Sequence, residues 1–119
     1  MRTHVVLSHP EKFNIALAEQ VLDTISIDGR HDQGNCSECV IGWASRHAGF
    51  DHQKLGDHFG TGVAALGLSV EEAYPIWGTF RNKRARRLLK SLIRQHRAWA
   101  ARQVDQVERY ANQQQPVDA

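Results

Sequence analysis

The chain has 119 residues, of which 41% are hydrophobic and 24% charged, with a formal net charge of +2 at pH 7. This length suits a single core, so we assign residues 1–111 to one helical domain and the glutamine-rich residues 112–119 to a flexible tail. No apolar run approaches the roughly 18 to 20 residues that span a bilayer, and the N-terminus lacks the pattern of a secretory signal, so we expect a cytoplasmic protein that contacts no membrane. The cysteines, Cys36 and Cys39, give no disulfide framework and indicate reduced thiols.

The small net charge hides a strong asymmetry along the chain. Residues 1–80 contain five Lys or Arg against ten Asp or Glu, net −5, whereas residues 81–119 contain ten against three, net +7. The segment from Arg81 to Arg102 has nine basic residues and no acidic one. Such segregation is typical of a surface that contacts something anionic.

The first predicted helix covers residues 9–27. Ser8 and Glu11 have the spacing of a capping box, and Gly29 can take the left-handed conformation that ends a helix. Its apolar stripe consists of Phe13, Leu17, Val21 and Ile25.

A second helix is predicted over residues 39–48, with Gly49 as its end. Cys39, Val40, Trp43 and Ala44 form its apolar face. The pattern then fades, and residues 51–62 are predicted to be an irregular connection that has room for one helical turn.

A helix, glycine turn and helix follow. Residues 63–66 predict a short helix that Gly67 ends, and Ser69 and Glu72 form a second predicted capping box. Pro75 lacks the amide hydrogen that a helix interior needs, so the helix that contains it should kink or end early.

The last segment predicts a long two-sided helix. One side is basic and contains Lys83, Arg86, Arg87, Lys90, Arg94 and Arg97. The other side should pack inward and contains Ala85, Leu88, Leu89, Leu92, Ile93, His96, Trp99, Ala100, Val107, Tyr110 and Ala111. The predicted fold class is all-α, a compact bundle of four or five helices with a long basic amphipathic C-terminal helix.

Three short motifs carry a resemblance to known proteins. They are CVIGWA at residues 39–44, AALGLS at residues 64–69 and EAYPIW at residues 72–77. Over residues 9–78 the chain resembles a group of small uncharacterised helical proteins of actinobacteria and their phages, which have a Cys-x-x-Gly-Trp/His-Ala helix and a Leu-Gly-Leu turn. The resemblance implies a helical fold and a phage or prophage origin, in a bacterial or phage-infected cytoplasm, but no activity. By analogy it also implies a host-takeover or anti-defence role.

The basic side of the last helix is the main candidate for a binding site. Six cations in a row can follow the phosphates of a nucleic acid, with a salt slope of about −5. The same row also suits an acidic protein surface. Alternatively, it is simply a solvated face, or it lies against the acidic first part of the chain in the same molecule or in a second copy.

Two narrower nucleic-acid hypotheses have less support. Residues 64–77 have the outline of a helix-turn-helix, but Glu71 and Glu72 at the start of its second helix would repel phosphates, so contacts should be mainly to the backbone. Aromatic side chains that stack on single-stranded bases are missing from the predicted basic side, because Trp99 falls on the apolar side.

The cysteines and nearby histidines raise the question of a metal. Cys36, Cys39, His47 and His52, with His31 and His58 nearby, are ligand types for a structural zinc ion. Their spacing is not that of a standard finger, and Cys39 falls on an apolar face, so a core cysteine with surface histidines is the preferred interpretation and no metal or cofactor is predicted. A redox Cys-x-x-Cys lacks its βαβ context.

The sequence predicts a binding protein, not an enzyme. It contains no nucleophile elbow, phosphate loop or His-Glu-x-x-His helix. Trp43, Trp77 and Trp99 are predicted core anchors, and an exposed one would indicate a protein-interaction hot spot. The first functional hypothesis is a non-enzymatic protein that holds a nucleic acid or an acidic protein on the basic side. The alternative is a protein-interaction or inhibitor module that acts through apolar surface, with a homo-oligomer left open.

Overall fold

The computed structural model describes residues 5–50 and 58–114, and its regular elements in these ranges are all helical. A short 3₁₀ helix precedes five α-helices. The elements are the 3₁₀ helix Pro10–Lys12, α1 Ile15–Ser26, α2 Val40–His47, α3 His58–Leu66, α4 Val70–Trp77 and α5 Asn82–Gln114. The predicted all-α fold with a long C-terminal helix is confirmed.

Helix α2 lies at the centre of the bundle. It contacts each of the other four α-helices, and every residue in positions 40–45 is buried. Such a short helix can be apolar on all sides because no side faces water. Its backbone comes very close to α3, where a Cβ added to Gly62 would overlap the carbonyl oxygen of Ile41. Gly62 therefore sets the spacing between α2 and α3.

Helix α1 begins later than its apolar stripe predicted. Its N-cap is Asn14, whose Oδ1 accepts the Leu17 amide at 3.1 Å, while Pro10–Lys12 form the separate 3₁₀ helix. The capping box predicted at Ser8 is wrong. The Ser8 amide instead donates to Oε2 of Glu72, 2.7 Å away on α4. A long-range contact has replaced the local one that the spacing suggested.

The glycine turns and the second capping box are confirmed. Gly29, Gly49 and Gly67 have positive φ angles of 68°, 92° and 71°. No other residue type fits at position 67, because a Cβ there would overlap a backbone oxygen of the 3₁₀ helix in addition to the strain of the positive φ angle. Ser69 Oγ accepts the Glu72 amide at 3.1 Å, and Glu72 Oε1 accepts the Ser69 amide at 2.7 Å.

Two predictions for the middle of the chain have different outcomes. Helix α3 begins at His58, so residues 58–62 are helical where an irregular connection was predicted. Residues 51–57, the rest of that predicted connection, lie outside the described residues. Helix α4 contains Pro75 and ends two residues later at Trp77, as the missing amide hydrogen predicts.

Helix α5 has two parts, which we call the core-supported half, residues 82–100, and the projecting half, residues 101–114. The core-supported half buries the predicted residues Ala85, Leu88, Leu89, Leu92 and Ile93. The prediction of a buried side is wrong for the projecting half, where Val107 and Tyr110 are 67% and 64% exposed and Ala111 is also exposed. The helix also continues through residues 112–114, which were assigned to the tail, and residues 115–119 lie outside the described part.

The shape of the molecule explains that difference. A helix of 33 residues is about 50 Å long. The molecule measures 68 Å along its longest axis but only 31 and 27 Å across, and helices α1–α4 have at most 12 residues each. The bundle is too short to cover the whole of α5.

The N-terminal segment also holds the core-supported half of α5, through hydrogen bonds to two of its side chains. Gln95 Oε1 accepts the Leu7 amide at 2.7 Å, and Gln95 Nε2 donates to the Val5 carbonyl at 2.6 Å. His96 Nδ1 lies 3.0 Å from the Pro10 carbonyl oxygen, which can only accept, so the ring donates there. The first residues of the chain thus help to set the position of its last helix.

Candidate anion-binding surface

The six predicted cations do lie on one face of α5, and we call Lys83, Arg86, Arg87, Lys90, Arg94 and Arg97 the basic strip. At 100° per residue these positions fall within about 100° of one another around the helix, and they extend over about 21 Å of its axis. All are exposed except Arg86, which is half-buried. The buried apolar residues of the core-supported half hold the opposite side, so the strip is mounted on a packed helix.

Only one member of the basic strip has an acidic partner among the described residues. Arg97 Nη2 lies 3.0 Å from Glu19 Oε1 on α1, and both side chains are substantially exposed. An exposed pair of this kind is worth about 0.2–1 kcal/mol, so another anion can compete for Arg97. The other five members have no carboxylate within salt-bridge distance in the described part of the chain. Their charge is available to a partner.

An aromatic cluster lies at the N-terminal end of the strip, and sequence reasoning missed it. Tyr74 and Trp77 on α4 and Phe80 in the α4–α5 linker, residues 78–81, are 59%, 39% and 84% exposed. The ring centroids of Tyr74 and Trp77 are 6.0 Å apart, and Phe59 contacts Trp77 from α3 at 5.1 Å. The expectation that Trp77 is a core anchor is wrong, whereas Trp43 is buried and Trp99 half-buried.

The missed signal was the order of residues around Phe80. Phe80 comes directly before the first arginine of the basic segment, and the early end of α4 at Trp77 puts both aromatics next to the start of α5. A helical wheel of α5 alone does not include them. The prediction concerned the basic side of α5 alone, and these three aromatics lie beyond its N-terminal end, on α4 and the linker.

Two open depressions join the aromatic cluster to the strip. One of about 700 Å³ lies between Phe80 and the start of α5, and a neighbour of about 670 Å³ lies between Phe80 and α4. Among the described residues, their lining includes four cations and one carboxylate: Arg81, Lys83, Arg84, Arg87 and Asp32. Lys83 and Arg87 belong to the strip as well, so the two surfaces are continuous.

A buried glutamine holds the linker in place. Gln33 is only 5% exposed, and its Nε2 donates to the carbonyl oxygens of Ile76 at 2.9 Å and Thr79 at 3.0 Å. Its side-chain Oε1 accepts the backbone amide of Val40 at 2.9 Å, and the backbone N–H of Gln33 donates to Asn82 Oδ1 at 2.9 Å. The start of α2, the end of α4 and the start of α5 thus meet at one residue, through its side chain and its backbone N–H. Phe80 is exposed, but the backbone on both sides of it is fixed.

His31 lies beside this network and close to the strip. Its Nε2 lies 2.9 Å from Gln33 Oε1 and donates to it. Burial lowers the pKa of His31; the hydrogen bond to Gln33 opposes this in part, the positive charge of Arg86 adds to the lowering, and Asp32 opposes it weakly. His31 is therefore neutral at neutral pH and adds no charge to the strip.

The cysteines and histidines that the structure describes do not form a metal-binding cluster. Cys39 is the N-cap of α2: its Sγ accepts the Gly42 amide at 3.3 Å and lies 3.5 Å from the Cys36 carbonyl oxygen. Burial raises the pKa of the Cys39 thiol, whereas Cys36 is exposed. Within residues 5–50 and 58–114, no group of three or more His, Cys, Asp or Glu could hold a metal ion. His52, the fourth predicted zinc ligand, lies outside the described residues.

His47, the third of those ligands, is engaged on α1. The Thr24 hydroxyl donates its hydrogen to the Gln20 carbonyl, so His47 Nε2 must donate to Thr24 Oγ1 at 2.8 Å. Nδ1 then accepts from Gln20 Nε2 at 3.1 Å. The ring stacks on Trp43 at 5.5 Å, and burial, followed by the charge of Arg46, lowers the pKa of His47. Both ring nitrogens are used in packing α2 on α1.

Comparisons with protein-family models, with curated proteins and with solved structures find no match to this chain. The resemblance to the actinobacterial and phage proteins stays a prediction. None of the helices within the described ranges has the length and apolar character needed to cross a membrane.

Proposed function

We propose that this is a non-enzymatic binding protein of the bacterial cytoplasm, of phage or prophage origin, that holds an anionic macromolecule on the basic strip of α5. The observation that carries the proposal is that five of the six strip cations have no acidic partner among the described residues. Unpaired cations in a row repel one another, so an anionic partner gains from all of them together.

The length of the strip favours the backbone of a nucleic acid as that anion. A duplex carries one phosphate about every 1.7 Å of its axis when both strands are counted, so the roughly 21 Å of the strip lies against a dense, regular array of anions. Side chains that contact these phosphates position the protein on the nucleic acid without reading the bases. An acidic protein surface offers the same sign of charge but not the regular spacing.

The resulting affinity should depend strongly on salt. Each neutralised duplex phosphate contributes about −0.9 to the slope of log K against log salt concentration, so five or six contacts give a slope of about −5. Binding to an acidic protein through a few rim charges would have a shallower slope.

Two variants with equal charge change test the proposal. In the strip variant, Lys83, Arg87, Lys90 and Arg94 are replaced by glutamine. In the control variant, four cations outside the strip are replaced by glutamine, namely Lys12, Arg30, Arg102 and Arg109. Each variant changes the formal net charge from +2 to −2, and all eight side chains are exposed, so folding should be unaffected.

Affinity for a duplex oligonucleotide is measured by fluorescence anisotropy at several salt concentrations. We expect the strip variant to lose most of the affinity and to lower the magnitude of the slope by about 3 to 4, while the control variant stays near the wild type. Equal losses in both variants would mean that only net charge matters, and the strip would not be a site. If the wild type binds neither duplex nor heparin at low salt, the proposal is wrong.

The alternative function, a protein-interaction or inhibitor module of the host-takeover or anti-defence type, is favoured by two observations. Trp77 is 39% exposed, as a tryptophan at a protein-interaction hot spot would be. The projecting half exposes Val104, Val107 and Tyr110, which recur three residues apart on one side of the helix. A partner protein that binds there should be retained at high salt, and replacing Val104 and Val107 with serine should release it. Self-association would be detected in the same variants by sedimentation.

A further inference from the structure

The exposure of the aromatic cluster needs a reason. Single exposed apolar side chains are ordinary, but Tyr74, Trp77 and Phe80 lie together around one linker. Phe59 and Tyr74 contact the Trp77 ring, and Gln33 fixes the linker backbone on both sides of Phe80, so the cluster is positioned while its rings remain open to water. A preformed aromatic surface of this kind loses little conformational entropy when a flat ligand stacks on it.

The charge around the cluster selects an anionic ligand. Among the described residues, three cations that have no acidic partner there, Arg81, Lys83 and Arg87, line the two depressions beside Phe80 together with one carboxylate, that of Asp32, a local balance of +2. A purely apolar partner would leave these cations unused. A ligand that has both flat rings and regularly spaced anions satisfies both parts of the surface.

We propose that Tyr74, Trp77 and Phe80 are a stacking site for the unpaired bases of single-stranded nucleic acid, whose phosphates continue along the basic strip. This inference rests on the proposed function, because the strip holds the backbone. Lys83 and Arg87 belong to both surfaces, so a strand that leaves the strip at its N-terminal end passes directly over Phe80. Proteins that bind single strands combine a cationic track with aromatic side chains in this way.

A duplex cannot use the aromatic cluster. Its bases are already stacked on one another, so only its phosphates would meet the protein. The inference therefore predicts a preference for single strands that the strip alone does not give. It also predicts that the two surfaces can be separated by substitution.

The test compares a single strand of about 12 nucleotides, as oligothymidylate or oligouridylate, with a duplex of the same length at one salt concentration. Phe80→Ala is the main variant, because Phe80 is 84% exposed and its removal costs little packing. Tyr74→Ala and Tyr110→Ala form a matched pair, since these tyrosines are 59% and 64% exposed and only Tyr74 belongs to the cluster.

We expect Phe80→Ala to weaken single-strand binding about 5- to 150-fold, as the loss of one stacked base predicts, and to leave duplex binding unchanged. Tyr74→Ala should act in the same direction, and Tyr110→Ala should change neither affinity. The strip variant should bind both the single strand and the duplex more weakly. DNA and RNA strands that bind alike indicate recognition of bases and phosphates, and a difference between them indicates that the sugar is read as well.

Other outcomes would overturn the inference. If Phe80→Ala leaves single-strand binding unchanged, or weakens single strand and duplex equally, the cluster is not a stacking site, although a strip variant that still loses affinity would uphold the proposed function. If polyglutamate competes as well as oligothymidylate and loses affinity equally in Phe80→Ala, the cluster serves an acidic peptide. If the strip variant binds both ligands like the wild type, the proposed function itself is wrong.

Discussion

The two halves of α5 have the same apolar periodicity but opposite surroundings. In the core-supported half the apolar side packs on the bundle, and Leu89 and Leu92 are completely buried. In the projecting half the stripe continues through Val104 and Val107, which face water. Periodicity thus determines which side of a helix is apolar, but the length of the neighbouring helices determines whether anything covers it.

The charges differ in the same way. On the core-supported half, the outer face has only cations, whereas Asp105 and Glu108 continue that face on the projecting half. Asp105 also pairs with Arg109 at 3.0 Å. The basic surface therefore ends where the packing ends, and a backbone that follows the strip should not continue to the tip of the helix.

The largest expected effect is on stability. Leu89→Ala should lower the free energy of unfolding by about 2–5 kcal/mol, because it leaves a cavity in a packed core. Val107→Ala should change it by less than about 0.5 kcal/mol, because Val107 is 67% exposed. Urea denaturation of both variants measures the two values. A cost for Val107→Ala close to that for Leu89→Ala would show that the projecting half is covered in solution, for example by a second copy, and a dependence on protein concentration would identify that case.

Lowering the pH should reduce the stability of the fold by a smaller amount, through two histidines of the bundle. Burial lowers the pKa of His31 and His47 in the folded state, so below about pH 6.5 the unfolded chain binds more protons than the folded one. Their contribution to stability is present above that pH and is lost as the pH falls through the folded pKa values. The midpoint of urea denaturation should be lower at about pH 5.5 than at about pH 7.5, and measuring both midpoints tests the direction of the effect.

His47→Gln serves as the comparison for that experiment. Its amide can still donate towards Thr24, but it does not titrate, so the loss of stability between the two pH values should be smaller than in the wild type. An equal loss in both proteins would assign the acid sensitivity to other groups. No histidine lies in the projecting half, so its helix signal should not follow this titration.

Much of the fold was predictable because its signals are local. The stops at Gly29, Gly49 and Gly67 and the capping box at Ser69 and Glu72 depend on residues a few positions apart. The start of α1 was not predictable in this way. Glu72 on α4 accepts the Ser8 amide, and a partner 64 positions away leaves no pattern in the local sequence.

The same distinction between local and long-range signals applies to the candidate site. All six strip residues could be found from the sequence, since one helix carries them and their spacing is its own period. The aromatic cluster could not, because Trp77 and Phe80 come from two different elements that Gln33 joins to the start of α5. Nothing in the sequence marks Gln33 as buried, and its role depends on carbonyl groups more than 40 positions away.

The smallest expected effect comes from removing the projecting half. Deleting residues 103–119 should change the free energy of unfolding by less than about 1 kcal/mol, since the described part of this segment is almost entirely exposed. Circular dichroism should lose the helix signal of residues 103–114. The deletion removes three carboxylates and one arginine, so the net charge rises by 2 and affinity for nucleic acid should be retained or increased. A loss of affinity would mean that the projecting half takes part in binding, and the boundary drawn at residue 100 would then separate two levels of packing but not two functions.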